Sequence, residues 1–204
     1  MTSLYLALRL GAAHAVRPPP DYRATVGQDM SRRVAALNGE GRFEEALALV
    51  ERFEKSVAPL PLVSYEAGYA LNRLGKTEAA MAQYSAAIDG NPELASARDD
   101  RGELYMAQSR WIEARADFEV VTRVQPGHWA GHFRMAQLAG IAGDPKGLEA
   151  HLTQAIRTGF DLKILARDPA WRDFAKDPEL ASILRKIVIL YTNESLLKDL
   201  GLDQ

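Results

Sequence analysis

Displaced by 34 residues the sequence falls on itself, and this period constrains the fold more than any other feature of the chain. In that register Val34, Gly68, Gly102 and Ala136 share one column, and Gly41, Gly75, Ser109 and Gly143 share another. Small residues in both columns are expected where backbones approach closely. Ala46, Ala80, Ala114 and Leu148 align next, then Val50, Tyr84, Phe118 and Leu152, then Phe53, Ala87, Val121 and Ala155, with no insertion between them. The closing column reads Ala58, Pro92, Pro126 and Phe160, so a helix-stopping proline ends two of the four units.

Each unit reads as two helices. Around Tyr65 to Leu74 and again around Glu78 to Ile88 apolar residues recur three to four apart, with Gly75 between them as a turn residue. Alternating alanine and aromatic columns suit packing of a large side chain into the gap left by a small one. One hairpin cannot bury its own apolar faces, but stacked hairpins can. The expectation is an all-α array over residues 21–162, in units 27–60, 61–94, 95–128 and 129–162.

These columns resemble the tetratricopeptide repeat, a helix-turn-helix unit of this length. The match covers residues 27–160 and is sharpest over 61–128, through Gly68, Leu71, Gly75, Ala80, Tyr84, Ala87 and Pro92, then Gly102, Tyr105, Ala114, Phe118 and Pro126. The outer units depart from it at Val34, Ala58, Leu148 and Phe160. The resemblance implies a right-handed superhelical solenoid of antiparallel helix hairpins. It also implies a concave groove, lined by the first helix of each unit, that holds a partner's peptide or helix. By register the groove would present Ser31 and Asn38, then Tyr65, Tyr69, Asn72 and Arg73, then Asp99, Glu103 and Met106, then Phe133 and Gln137. Asp99 and Glu103, one turn apart, would favour a basic group on the partner; Tyr65 and Tyr69 have the alternative of being partly buried core aromatics. Relatives that bind the acidic C-termini of heat-shock proteins carry lysine, asparagine and arginine as a carboxylate clamp. The matching positions here are Ser31, Ala35, Glu66, Ser96 and Asp100, so such a tail is not an expected partner.

Residues 163–204 read as capping helices, and similar tails often follow bacterial arrays of this kind. Asp144-Pro145, Asp168-Pro169 and Asp177-Pro178 each look like a helix start, aspartate as N-cap and proline at the first helical position. Trp171, Phe174, Leu180, Ile183, Leu184, Ile187 and Leu190 would cover the end of the stack. At the other end, residues 1–20 form an N-terminal segment that is either an export signal or a loosely docked helix, closed by the Pro18-Pro19-Pro20 linker. The first reading places the protein in the periplasm and the second in the cytoplasm, which is the expectation taken here.

Little in the sequence points to catalysis. Its 25 basic and 27 acidic residues give a net charge of −2, which is not the footprint of a nucleic-acid binder. The chain has no cysteine for a thiolate or a cysteine-ligated metal. No stretch supplies the roughly 20 apolar residues of a membrane span. His128, His132 and His151 can be drawn as a zinc site, but no HExxH motif accompanies them, and a metal-dependent enzyme is the weakest reading. The adjacent acids Asp99 and Asp100 diverge by about 100° on a helix and read as a solvated face, not a general acid/base pair. The expectation is therefore a non-enzymatic interaction module without cofactor or metal, the alternative being a chaperone or assembly factor that holds unfolded clients.

Overall fold

The computed structural model describes residues 22–192 and 195–203, so the expectations about residues 1–20 lie outside it. Eight helices pair into four hairpins: α1 (Tyr22–Gly39) with α2 (Phe43–Glu54), α3 (Pro61–Arg73) with α4 (Thr77–Gly90), α5 (Ala95–Ala107) with α6 (Trp111–Val124), and α7 (Trp129–Ala142) with α8 (Pro145–Arg157). A 3₁₀ turn (Leu162–Arg167), α9 (Pro169–Phe174), α10 (Pro178–Tyr191) and α11 (Ser195–Asp199) follow. The second helix of each hairpin packs on the first helix of the next, α2 on α3, α4 on α5 and α6 on α7, which makes the array an all-α solenoid. α1 also lies against α3, and α3 against α5.

The two columns of small residues have different physical causes. Gly68 and Gly102 are places of close approach: a Cβ there would come within 2.6 Å of the Tyr84 ring and 2.5 Å of the Phe118 ring. In the outer hairpins the pair changes its proportions. Val34 shares a buried cluster with Val50, and Ala136 shares one with Leu152. A larger residue on the first helix is thus matched by a smaller one on the second, and the departures of the outer units keep the shared volume filled.

The expectation of close approach fails for Gly41, Gly75 and Gly143, where an added Cβ would meet nothing within 4 Å. Their φ angles are +74°, +72° and +64°, the left-handed region open to glycine, and Ser109 occupies the same region at +58°. All four end the first helix of their hairpin in the same way. The residue after the turn donates its N–H five residues back (Arg42 to Leu37, Lys76 to Leu71, Arg110 to Tyr105, Asp144 to Ala139, each at 2.9 Å). The turn residue donates three back, which completes a Schellman motif. Between hairpins proline does the stopping. α4 ends at Gly90 and α6 at Val124, and the residues preceding Pro92 and Pro126 leave helical geometry, Asn91 at φ −146° and Gln125 at φ −130°.

All three Asp-Pro pairs start helices. The carboxylate of Asp144 accepts from Gly147 N–H, that of Asp168 from Ala170, and that of Asp177 from Glu179 and Leu180, all at 2.9–3.0 Å. Trp171, Phe174, Leu180, Leu184 and Ile187 join one buried cluster with Phe133, Leu148 and Leu152, and Ile183 packs partly against it. Leu190 does not. It is 66% exposed, because Leu180, Leu184, Ile187 and Val188 define the inward stripe of α10 and Leu190 lies about 100° around the helix from the centre of that stripe.

The size-matched pair predicts a measurable coupling. Gly102→Ala should destabilise by about 1–3 kcal/mol through overpacking against Phe118. Gly102→Ala with Phe118→Leu, which reproduces the fourth hairpin, should lose about 1 kcal/mol less than the sum of the single changes in urea unfolding. Ser109→Gly should stabilise by up to about 1 kcal/mol by relieving its left-handed conformation, while Gly75→Ala destabilises by a similar amount.

Candidate functional site in the inner face of the first helices

The first helices carry the side chains that could meet a partner, and the structure sorts the expected groove residues into open and covered ones. In α1, Ser31 is half-buried. Asn38 is 5% exposed and bridges to α3, donating from Nδ2 to the Glu66 carbonyl at 3.0 Å and to its carboxylate at 2.9 Å. In α3, Tyr65, Tyr69 and Asn72 are half-buried and Arg73 is exposed. The Arg73 guanidinium sits 5.5 Å from the Phe43 ring and 6.0 Å from the Tyr69 ring. Tyr65 packs with its ring 6.0 Å from that of Tyr84 while keeping part of its surface open, so it is a packing residue that is still partly accessible.

In α5, Met106 packs against the Phe118 and Met135 cluster. Asp99 and Glu103 are already engaged. Arg134 of α7 pairs with the Glu103 carboxylate and brings its Nε to 3.6 Å from Asp99, so the basic group expected of a partner at these two acids is supplied by the chain itself.

Phe133 and Gln137 do not face an open groove. The Phe133 ring, 6% exposed, stacks on Phe160 at 4.5 Å and Trp171 at 5.7 Å. Gln137 is 9% exposed and donates to Asp168 at 3.1 Å. Phe174 lies directly on Gly140, where a Cβ would meet its ring at 2.5 Å. Gly140 shares the column of Asn38, Asn72 and Met106. The segment from Leu162 to Phe174 therefore occupies the inner face of the fourth hairpin, and the open part spans the first three.

Glu66 and Asp100, which the register matched to clamp positions and not to the presented groove residues, belong to the same face. They stand in one 34-residue column with Arg32 and Arg134, a run of two acids between two cations that could have been found by comparing charge as well as size. Asp99 and Asp100 are half-buried, not a solvated face. Burial raises the pKa of Asp99, opposed by Arg134. Burial and the charge of Asp99 push Asp100 up to about 6. Burial likewise raises Glu66, with the Asn38 hydrogen bond opposing, and raises the hydroxyls of Tyr65 and Tyr84, to which the Asp100 charge adds.

The histidines do not converge. His128 is the N-cap of α7, accepting from Ala130 N–H at 3.3 Å, and stacks on Trp129. His132 and His151 stack on each other at 5.9 Å, and burial lowers both pKa values. Among the described residues no group of three histidine, cysteine, aspartate or glutamate side chains is placed to hold a metal ion. No helix among them is long and apolar enough to cross a membrane.

The Asp100 shift gives a signed pH dependence. A carboxyl whose folded pKa is raised stabilises the fold at low pH, and that contribution is lost as pH rises from about 4, its unfolded value, through about 6. Asp100→Asn should therefore raise the melting temperature at pH 7.5 and leave it nearly unchanged at pH 4. A carboxyl-carbon NMR titration of Asp100 should show its midpoint near 6.

No protein-family model matches the sequence, and a search of curated proteins finds no match. Solved structures share its fold. MamA 41-end from Desulfovibrio magneticus RS-1 aligns at TM-score 0.61 and 17% identity, over 83% of this chain and 95% of that one. TTC0263, a thermophilic TPR protein in Thermus thermophilus, aligns at TM-score 0.57 and 20% identity, over 84% and 95%. The second TPR domain of the human RPAP3 protein, solved in complex with the HSP70 peptide SGPTIEEVD, aligns at TM-score 0.50 and 21% identity, over 57% and 97%. With the period, the four Schellman turns and the size-matched helix pairs, these likenesses identify the chain as a helical repeat protein of the tetratricopeptide-repeat fold.

Proposed function

We propose that this protein is a non-enzymatic interaction module that holds an extended peptide or a helix of a partner protein against the inner face of its first three hairpins. The observation that carries this reading is the half-open surface of Tyr65, Tyr69, Asn72 and Asp100, polar and aromatic side chains held partly buried on adjacent first helices. Aromatic rings fixed by packing make good anchors, since little side-chain freedom is left to lose on binding. That a likeness of this fold, the second TPR domain of human RPAP3, was solved with a bound peptide supports a peptide as the kind of partner. The partner differs in kind. Glu66 and Asp100 stand where a carboxylate clamp needs cations, so the acidic tail of a heat-shock protein is repelled.

Affinity capture from native cell extract with wild-type and Tyr69→Ala proteins, both shown to be folded by circular dichroism, tests the proposal. A small set of proteins retained by the wild type and lost with the variant is the expected result. The same set on both would place the working surface elsewhere, and a broad set of unfolded proteins would favour a client-holding chaperone. In calorimetric titration a peptide ending in Glu-Glu-Val-Asp should show no micromolar binding, and binding at that level would overturn the partner assignment.

A further inference from the structure

We propose that an exposed apolar patch where the third hairpin meets the fourth, formed by Trp111, Ile112, Ile141 and Ala142, is a second docking surface. Its occupant is a segment of a partner protein that sets large apolar side chains beside aspartate or glutamate. The patch lies on the turn edge of the array, so it goes beyond the groove reading and does not depend on it.

The repeat itself does not demand this patch. Where one hairpin meets the next, the first turn of a second helix reaches the end of the following first helix, 30 residues on. The Arg73 guanidinium lies 5.5 Å from the Phe43 ring in this way, and Gln108 donates to Glu78 at 3.1 Å. The same step carries Trp111 to Ile141 and Ile112 to Ala142. At the first junction this edge holds Glu44 and Arg73, and at the second Glu78 and Gln108; at the third it is apolar. Ile112 stands in the column of Glu44, Glu78 and Lys146, and Ile141 in that of Gly39, Arg73 and Ala107. Trp111 and Ile141 are each 39% exposed, Ile112 is 83% exposed, and Ala142 is exposed as well. None of the three large side chains belongs to a buried cluster, so they add little to the core. Apolar surface gathered in this way gains free energy only when something covers it.

The charge around the patch selects the occupant. Within about one turn of it along the chain, the charged side chains are Arg110, Glu113, Arg115, Asp144 and Lys146. Arg110 pairs with Glu113 at 2.9 Å, and Asp144 is engaged as the N-cap of α8. Arg115 and Lys146 are exposed and pair with no carboxylate among the described residues. They flank the patch, Arg115 on α6 one turn beyond Trp111 and Lys146 on α8 in the column of Ile112. A partner that covers the isoleucines meets both cations and gains by carrying acids. The chain's own residues 1–20 have the wrong sign, with Arg9 and Arg17 and no acid. A second copy laid patch on patch would bring the same two cations back. An anionic membrane surface would press its charge on Glu113 and Asp144 as well, whereas a peptide sets its acids only where cations stand.

The experiment pans a random dodecapeptide library displayed on phage against the whole protein at pH 7.5. The expected result is peptides that combine large apolar residues with aspartate or glutamate. Ile112→Gln, polar like Glu44 and Glu78 of its column and checked by circular dichroism, should weaken their binding about tenfold or more. Tyr69→Ala should leave it unchanged, which separates this surface from the inner face. Replacing the acids by amides in a synthetic copy, a comparison that needs no protein variant to fold, should weaken binding severalfold. Arg115→Gln with Lys146→Gln should abolish that difference. Peptides that need Ile112 but lose nothing on amidation would overturn the acidic partner, as would an amide effect that survives in the double variant. If no selected peptide depends on Ile112, the docking surface falls while the groove reading stands. Two other results overturn the assigned occupant. A dimer in sedimentation equilibrium that Ile112→Gln disperses would make it a second copy, and co-sedimentation with phosphatidylserine vesicles that the same variant abolishes would make it a membrane.

Discussion

The volume shared between residues 68 and 84, and between their equivalents 102 and 118, sets how closely the two helices of a hairpin lie. With glycine on the first helix the ring of Tyr84 or Phe118 rests almost on backbone, and a single methyl group would collide with it. That closeness brings the first helices of successive hairpins side by side, because each second helix then presents a regular surface to the next unit. The left-handed turn follows from the same requirement. A hairpin this tight leaves the chain only a few residues in which to reverse, and the Schellman geometry does so while pairing N–H groups with carbonyls that the helix end would otherwise leave unpaired. Inner-face side chains are therefore positioned by contacts made on the opposite side of their own helices.

On α5 the segment Arg98-Asp99-Asp100-Arg101-Gly102-Glu103 mixes both signs of charge along the chain, but the helix separates them in space. The two arginines turn towards Asp117 between α5 and α6, and the acids turn towards α3 and α7. A buried carboxylate satisfied by two guanidinium groups joins the two helices of the third hairpin. The inner face is left with negative charge that its own surroundings only partly balance. Residues that lower stability where they stand and are not compensated locally are those expected at a binding surface, where a partner completes them.

The period made the array legible because its signal is size at fixed spacing, and size is written directly in residue type. The reason for the second small column was not legible. Glycine serves both close approach and positive φ, and only the backbone separates Gly68 from Gly75; Ser109, a non-glycine in the same turn, was the one hint. Nor did the sequence reveal that Phe133 and Gln137 are covered. Their partners Trp171 and Asp168 lie beyond the last unit, in a segment with no repeat register to align, so the fourth hairpin read like the others. The burial of Asp99 and Asp100 was hidden for a related reason. Neighbours on a helix do diverge, but α3 and α7 flank α5, and both directions lead into partly buried ground.

The capping segment does more than cover apolar surface. The Asp168 carboxylate starts α9 with one oxygen and accepts from Gln137 with the other. Gln137 in turn accepts from Arg134 at 3.2 Å, and Arg134 reaches Glu103 and Asp99. This chain of contacts ties Arg134 to the C-terminal end of the stack, so its charge is directed to Asp99 and Glu103 and falls short of pairing with Asp100. Without that tie an arginine side chain has enough freedom to settle against whichever carboxylate is least satisfied. The cap thus closes the inner face at the fourth hairpin and also fixes which carboxylates of α5 receive the charge of Arg134.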